Sequence, residues 1–148
     1  MSSPELCPYE TTLLVRDSCL CLHVQRAARA LARRFDVALR PFSLTNGQFS
    51  LLMSLNRPQP PAMGPVATLL AMDRTTLTAA LKPLERRGLV EISPDPSDRR
   101  SRILKLTREG RRLLARAVPA WRQAHDDLER QLPQGASDHL RRTLRSLS

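Results

Sequence analysis

Two short stretches concentrate side chains able to bond a polyanion with direction. The first is Asp73-Arg74-Thr75-Thr76-Leu77-Thr78-Ala79. Arginine offers paired N–H donors that match the two acceptors of a guanine edge, and threonine brings a hydroxyl together with a methyl that can meet a thymine methyl. With Asp73 as N-cap, these residues stand on the first turns of a helix, whose free amides welcome phosphate. Leu77, Leu81 and Leu84 recur at spacings of four and three and claim the core. Arg74, Thr75, Thr76, Thr78 and Lys82 are then left outside. The second stretch is Pro94-Asp95-Pro96-Ser97-Asp98-Arg99-Arg100-Ser101. Its adjacent arginines suit a narrow minor groove, where the potential is most negative. Asp98 is expected to hold one guanidinium in place across the turn. An ordinary capped helix and a solvated turn are the plainer readings of either stretch alone; the two in this order point to groove recognition.

A third group of residues carries sulfur and imidazole chemistry. Cys19 and Cys21 form a C-x-C beside His23 and Arg26. On one continuous helix, residues two apart lie roughly 200° around the axis, so no disulfide is expected between them. Small, buried packing thiols are the first reading, an oxidant-sensing thiolate at Cys21 the second, and a metal site made with His23 the remotest. Cys7 brings the count to three, an odd number without zinc-finger spacing. Free thiols suit a reducing cytosol. The beginning, MSSPELCPYE, is acidic and broken by prolines, unlike a signal peptide. No apolar run reaches the roughly 20 residues of a membrane span. A cytoplasmic protein is expected. The five glycines form no phosphate-binding fingerprint, and neither paired active-site carboxylates nor a nucleophile elbow appears, so neither catalysis nor a cofactor is expected.

The elements that must position these groups follow from periodicity. Residues 1–10, with Pro4 and Pro8, read as an irregular arm. One long helix is expected from about Thr12 to Ala38, with Leu20, Val24, Ala27, Leu31, Phe35 and Ala38 on one face, ended by Arg40-Pro41. Thr45 caps a second helix carrying Phe49, Leu52 and Leu55. The proline-rich 57–61 is a loop, and a short helix spans about 64–70. The helix opened by Asp73 runs to about Arg87, with Gly88 as its stop. Strands at 89–92 and 102–106 flank a long-tipped hairpin. Thr107 caps a helix to about Gln131, and a last helix spans about 136–147. Short helix, tight turn, capped helix and hairpin make a winged helix-turn-helix in a mainly α chain with a small β-hairpin wing.

The chain has 148 residues, with 24 Lys and Arg against 14 Asp and Glu, a net charge of +10. A polyanionic partner is the natural reading of that excess, through counterion release; arginine scattered on solvated faces is the plainer and second one, and position has to decide. Leu13, Leu14 and Leu20, with Leu140, Leu144 and Leu147, exceed what a small winged domain buries and point to a homodimer. The organisation expected is an arm and dimerisation helix (1–40), a winged helix-turn-helix (41–107) and C-terminal dimerisation helices (108–148).

Residues 44–110 resemble the MarR family of bacterial regulators. The matching stretches are LTNGQFSLL, MDRTTLTAALKPLERRGLV and DPSDRRSRILKLTREG. The last holds an Asp-x-Arg wing signature, here Asp98, Arg99 and Arg100, followed by Leu106-Thr107-x-x-Gly110. The resemblance implies a transcriptional repressor that binds a near-palindromic duplex as a dimer. It implies Arg74, Thr75, Thr76, Thr78 and Lys82 at the major groove and Arg100 in the minor groove with Asp98 bracing it. It further implies release by a small, often phenolic effector between dimer helices and winged domain, near His23, Arg26, Phe42 and Phe49. One branch senses organic hydroperoxides through a cysteine at the place of Cys21. That branch braces its cysteine with tyrosines, whereas the one tyrosine here is Tyr9. A winged helix that binds RNA or a protein remains the alternative of another class.

Overall fold

The structure, a computed structural model, describes residues 6–148. The chain forms two compact units, residues 1–34 and 35–148, and the boundary falls within its second helix. Residues 1–5 of the expected arm lie outside the described residues, and the rest of the arm is shorter than expected. Helix α1 already begins at Tyr9 and runs to Ser18, with Pro8 as its N-cap. Proline is at home there because the first amides of a helix have no intrahelical partner.

The single long helix expected over 12–38 is two helices. Cys19 is extended (φ −70°, ψ 109°) and separates α1 from α2, Leu20–Leu39. Neither glycine nor proline announces this break. Cys19 sustains it locally: its Sγ accepts the Leu22 amide at 3.4 Å, and His23 Nδ1 lies 2.7 Å from its carbonyl oxygen. The thiol thus acts as a cap for α2. Within this unit Leu14, Val15, Leu20, Val24 and Leu31 are exposed.

The second unit is built on a leucine core. Leu39, Leu52, Leu77, Leu81, Leu84 and Leu104 are fully buried. A 3-10 turn at Arg40–Phe42 leads to α3, Asn46–Ser54. Thr45 caps α3 in a reciprocal box with Gln48. Asp36 Oδ1 accepts both the backbone and side-chain N–H of Asn46, at 2.7 and 2.8 Å, and so pins the start of α3. Those bonds hold its carboxyl below the usual carboxylate range. Helix α4, Met63–Leu69, turns through Ala71, whose φ is +52°, into α5, Arg74–Arg86. Pro83 lies inside α5 without ending it.

Gly88 adopts φ +71° and turns the chain into β1, Val90–Asp95. This strand pairs antiparallel with β2, Asp98–Leu106. The loop is only Pro96-Ser97, so the long tip expected from sequence is mostly strand. The register runs evenly from Val90↔Leu106 to Pro94↔Arg102, then jumps to Asp95↔Asp98. Arg99, Arg100 and Ser101 therefore bulge from the ladder. Pro94 has no N–H to donate, which fits the break at that point. The proline-rich loop is tied to the wing: the Leu104 amide donates to Pro61 O at 2.9 Å. Helix α6, Arg108–Glu129, and α7, Ala136–Arg145, belong to this same unit. None of the described helices is long and apolar enough to cross a membrane.

Candidate nucleic-acid interface

Helix α5 is laid down with one face in the core and one in solvent. Leu77, Leu81 and Leu84 have no exposed surface. Arg74, Thr75, Thr76, Thr78 and Lys82 are all exposed, as their spacing required. Asp73 caps the helix by accepting the Thr76 amide at 2.7 Å, and its other oxygen takes the Thr76 hydroxyl at 3.0 Å. These bonds lower the Asp73 carboxyl below its ordinary range, the backbone bond from Thr76 acting most. Arg74, Thr75, Thr78, Ala79 and Lys82 line one shallow hollow. The face thus holds two cations with small, methyl-bearing side chains between them.

The wing presents Arg99 and Arg100 exposed on the bulge. The expected brace is corrected in its atoms. Asp98 Oδ1 accepts the backbone amide of Arg100 at 3.0 Å, and among the described residues no ion pair joins Asp98 to a guanidinium. Two residues on is the reach of an Asx-turn, and the amide lies nearer than a flexible guanidinium can be held. Asp95 does the same for the Ser97 amide at 2.8 Å. Asp98 therefore shapes the backbone under the arginines and leaves their charge unpaired.

The residues expected near an effector are divided between the two units. His23 and Arg26 are exposed residues of the first unit. Phe42 lines a hollow with Arg87, Glu109 and Arg116. Phe49 lines a different, largely apolar hollow of about 500 Å³ with Met53, Leu69, Leu70, Val118, Trp121 and Arg122. Trp121 stacks on Phe49 at 6.0 Å and on His125 at 5.0 Å between ring centres. Sequence reasoning passed over Trp121 and Arg122. The available signal was a lone tryptophan four residues before a histidine on the long helix.

Cys21 is exposed and Cys19 partly so, which does not fit buried packing within the chain. Gln25 Nε2 donates to Cys21 Sγ at 3.3 Å. Because Cys19 lies outside α2, the angular argument that kept the two thiols apart does not hold. No group of three or more His, Cys, Asp or Glu residues arranged to hold a metal ion is found among the described residues.

Comparison with known proteins agrees with this geometry. A sequence model of the MarR family matches residues 44–101. The transcriptional regulator MosR of Mycobacterium tuberculosis, in a complex with DNA, is 35% identical with a TM-score of 0.80, covering 88% of this chain and 93% of that one. The chain belongs to the MarR family. The repressor CouR of Rhodococcus jostii, bound to a 23-mer DNA duplex, is 34% identical with a TM-score of 0.79, over 90% of this chain and 94% of that one. The HTH-type transcriptional repressor NicR of Pseudomonas putida is 38% identical over 80 residues, 54% of this chain and 51% of that protein. The chain spans about half the length of the first curated relatives it matches.

Proposed function

We propose that this MarR-family chain is a sequence-specific, double-stranded-DNA-binding transcriptional regulator that acts as a homodimer in the cytoplasm. In this reading α5 enters the major groove with Arg74, Thr75, Thr76, Thr78 and Lys82. Arg100 enters the flanking minor groove, Arg99 meets phosphate, and Asp98 shapes the turn beneath them. The observation that carries the reading is the pairing, on one unit, of an exposed, capped α5 N-terminus with a bulged wing whose arginines have no carboxylate partner among the described residues. Each unit also leaves apolar side chains uncovered, Leu20 and Val24 in the first, Leu140, Leu144 and Leu147 in the second. A symmetric second copy covers them and spaces two α5 helices about one DNA turn, roughly 34–36 Å, apart.

The test is selection of duplexes from a random pool, followed by titration against salt. Arg74→Ala should cost about 1–3 kcal/mol at each half-site and relax the base preference there. Arg99→Ala should weaken all sequences alike and reduce the salt slope by about one per half-site. Unchanged affinity in both Arg74→Ala and Arg100→Ala would remove the groove assignments. Tighter binding to single-stranded RNA than to any duplex would favour the other class.

The effector in this reading is a small aromatic acid or its derivative. It enters the apolar hollow between α3 and α6, with its ring beside Trp121 and its anion toward Arg122. CouR has been seen with p-coumaroyl-CoA bound. A thiol-based alternative rests on the exposure of Cys21. Its thiol and an organic hydroperoxide give a sulfenic acid and an alcohol, one oxygen passing to sulfur. Peroxide should then release wild-type protein from DNA and leave Cys21→Ser bound; equal release of both removes this alternative.

A further inference from the structure

The hydrogen-bond hydrogens on the outer face of α5 are unevenly available. Thr76 donates its hydroxyl to Asp73 Oδ2 at 3.0 Å. Thr78 donates its hydroxyl to the Arg74 carbonyl oxygen at 2.7 Å, with Met63 Sδ 3.7 Å away. A hydroxyl has one hydrogen. Neither threonine therefore has a donor left for guanine N7 or O6, or for thymine O4, without breaking a bond inside the protein. Both side chains are nevertheless exposed. What Thr78 retains for a partner is a methyl and an oxygen that can only accept. It lies in the hollow whose other members are Thr75, Ala79 and the two cations Arg74 and Lys82. Ala79 adds a second methyl to that surface.

Resting on the groove reading above, we propose that this hollow reads the C5-methyl group of a pyrimidine in the major groove, with Thr78 the specificity-determining residue. Apolar contact between an alanine or threonine methyl and a base methyl is an established mode of direct readout. Committing the Thr78 hydroxyl inward makes it the favoured one at that side chain. Arg74, beside the seat, matches guanine as the neighbouring base, so a pyrimidine-guanine step is expected in each half-site. Thymine and 5-methylcytosine present the same methyl, and binding separates them.

The experiment uses the full chain and the best duplex selected from a random pool. Thymines are replaced by deoxyuridine in symmetry-related pairs, which removes only the methyl. Burying one methyl is worth about fourfold in affinity, so one pair of replacements should weaken wild-type binding by roughly fifteenfold over two half-sites. Thr78→Val keeps the methyl surface and should keep this dependence. Thr78→Ser keeps the oxygen and should bind the two duplexes equally. Thermal melting of each variant confirms that it is folded. A selected duplex with cytosine at the seat should gain affinity on 5-methylation in the wild type and not in Thr78→Ser; if only the thymine arm responds, the ligand is thymine, and if both do, it is the methyl whatever its base. No weakening by any deoxyuridine pair, or full dependence surviving in Thr78→Ser, overturns the inference while leaving duplex binding intact. Absence of any preferred duplex overturns the groove reading itself, and this inference with it.

Discussion

Adding one methyl at Gly110 should damage this protein more than removing most surface side chains. Gly110 is the third residue of α6 and donates its amide to Thr107 Oγ1 at 3.0 Å. A Cβ there would sit 2.4 Å from the Leu89 carbonyl oxygen and 2.6 Å from Leu106 Cδ1. Ordinary contact needs roughly 1 Å more. The obstructing oxygen is backbone and already accepts the Thr107 amide at 3.1 Å, so it cannot rotate away as a side chain would. The start of α6 has to move off the wing strands instead. Overpacking of this kind costs about 1–3 kcal/mol, and disturbing the Thr107 cap adds about 1 kcal/mol. A total of about 2–4 kcal/mol corresponds to roughly 6–12 °C in melting temperature for a chain of this size. Gly47→Ala is the internal control. Its Cβ meets nothing nearer than Thr45 Oγ1 at 4.0 Å, and it lies in helix α3. That change should raise stability by about 0.5 kcal/mol, because a helix position no longer carries glycine's chain entropy. Scanning calorimetry of both variants gives the comparison. A Gly110→Ala protein melting within a degree of the wild type would show that the α6–wing junction is not packed as described.

Three further outcomes follow from particular contacts. Asp36 has its carboxyl lowered in the folded state by the Asn46 bonds, backbone first. Its contribution is therefore fully present above the unfolded value near ~3.9 and lost as pH falls through the lower folded value; denaturant midpoints of wild type and Asp36→Asn should converge at acid pH, and a constant gap would contradict this. Trp121 is the one tryptophan in the chain and borders the apolar hollow. Titration with hydroxybenzoates or p-coumarate should change its emission in a saturable way, and Met53→Trp should block the change in DNA affinity; unaltered emission across the series would place the effector elsewhere. Leu140→Glu with Leu144→Glu charges two exposed apolar positions of α7. Sedimentation should then report monomers with weakened duplex binding, and an undisturbed dimer would exclude α7 from the interface.

Most of the fold was legible because its signals are local. Asp73, Thr45 and Thr107 all cap the helices their positions announced, since a short oxygen-bearing side chain ahead of an apolar stripe has few other uses. The exposed and buried faces of α5 followed from leucine spacing alone. What escaped was set by less common or longer-range bonds. The break at Cys19 depends on a thiol standing in for the usual capping oxygen. The shortness of the wing loop depends on which residues pair across β1 and β2, and the bulge after Asp98 lets a turn-rich sequence count as strand. The hollow beside Trp121 gathers residues from α3, α4 and α6, whose side-by-side packing no single window of sequence contains.

The paired acids of the second unit point in two different ways. On α6 and α7, carboxylates face guanidinia: Glu109 pairs with Arg112, Asp127 with Arg130, and Glu129 and Asp138 both with Arg141. Those arginines are largely neutralised by neighbours on their own surface. Along α5 and the wing turn the pattern is different. Asp73, Asp95 and Asp98 each turn a carboxylate oxygen onto a backbone amide, of Thr76, Ser97 and Arg100 respectively. Each of these three aspartates fixes the shape of a turn, and among the described residues none of them forms an ion pair with an arginine. Scattered solvated arginine, the composition-based alternative, gives no reason for that division. A surface that must meet phosphate does: its acids have to hold the backbone in place without competing for the cations. The same reasoning predicts that Asp98→Asn, which keeps the Asx-turn and removes the negative charge, binds duplex at least as tightly as wild type. Asp98→Ala, which loses the turn as well, should bind more weakly. If instead Asp98→Asn and Asp98→Ala fall equally in affinity, the carboxylate's charge is needed after all, and the aspartate braces a guanidinium in the complex rather than the loop beneath it.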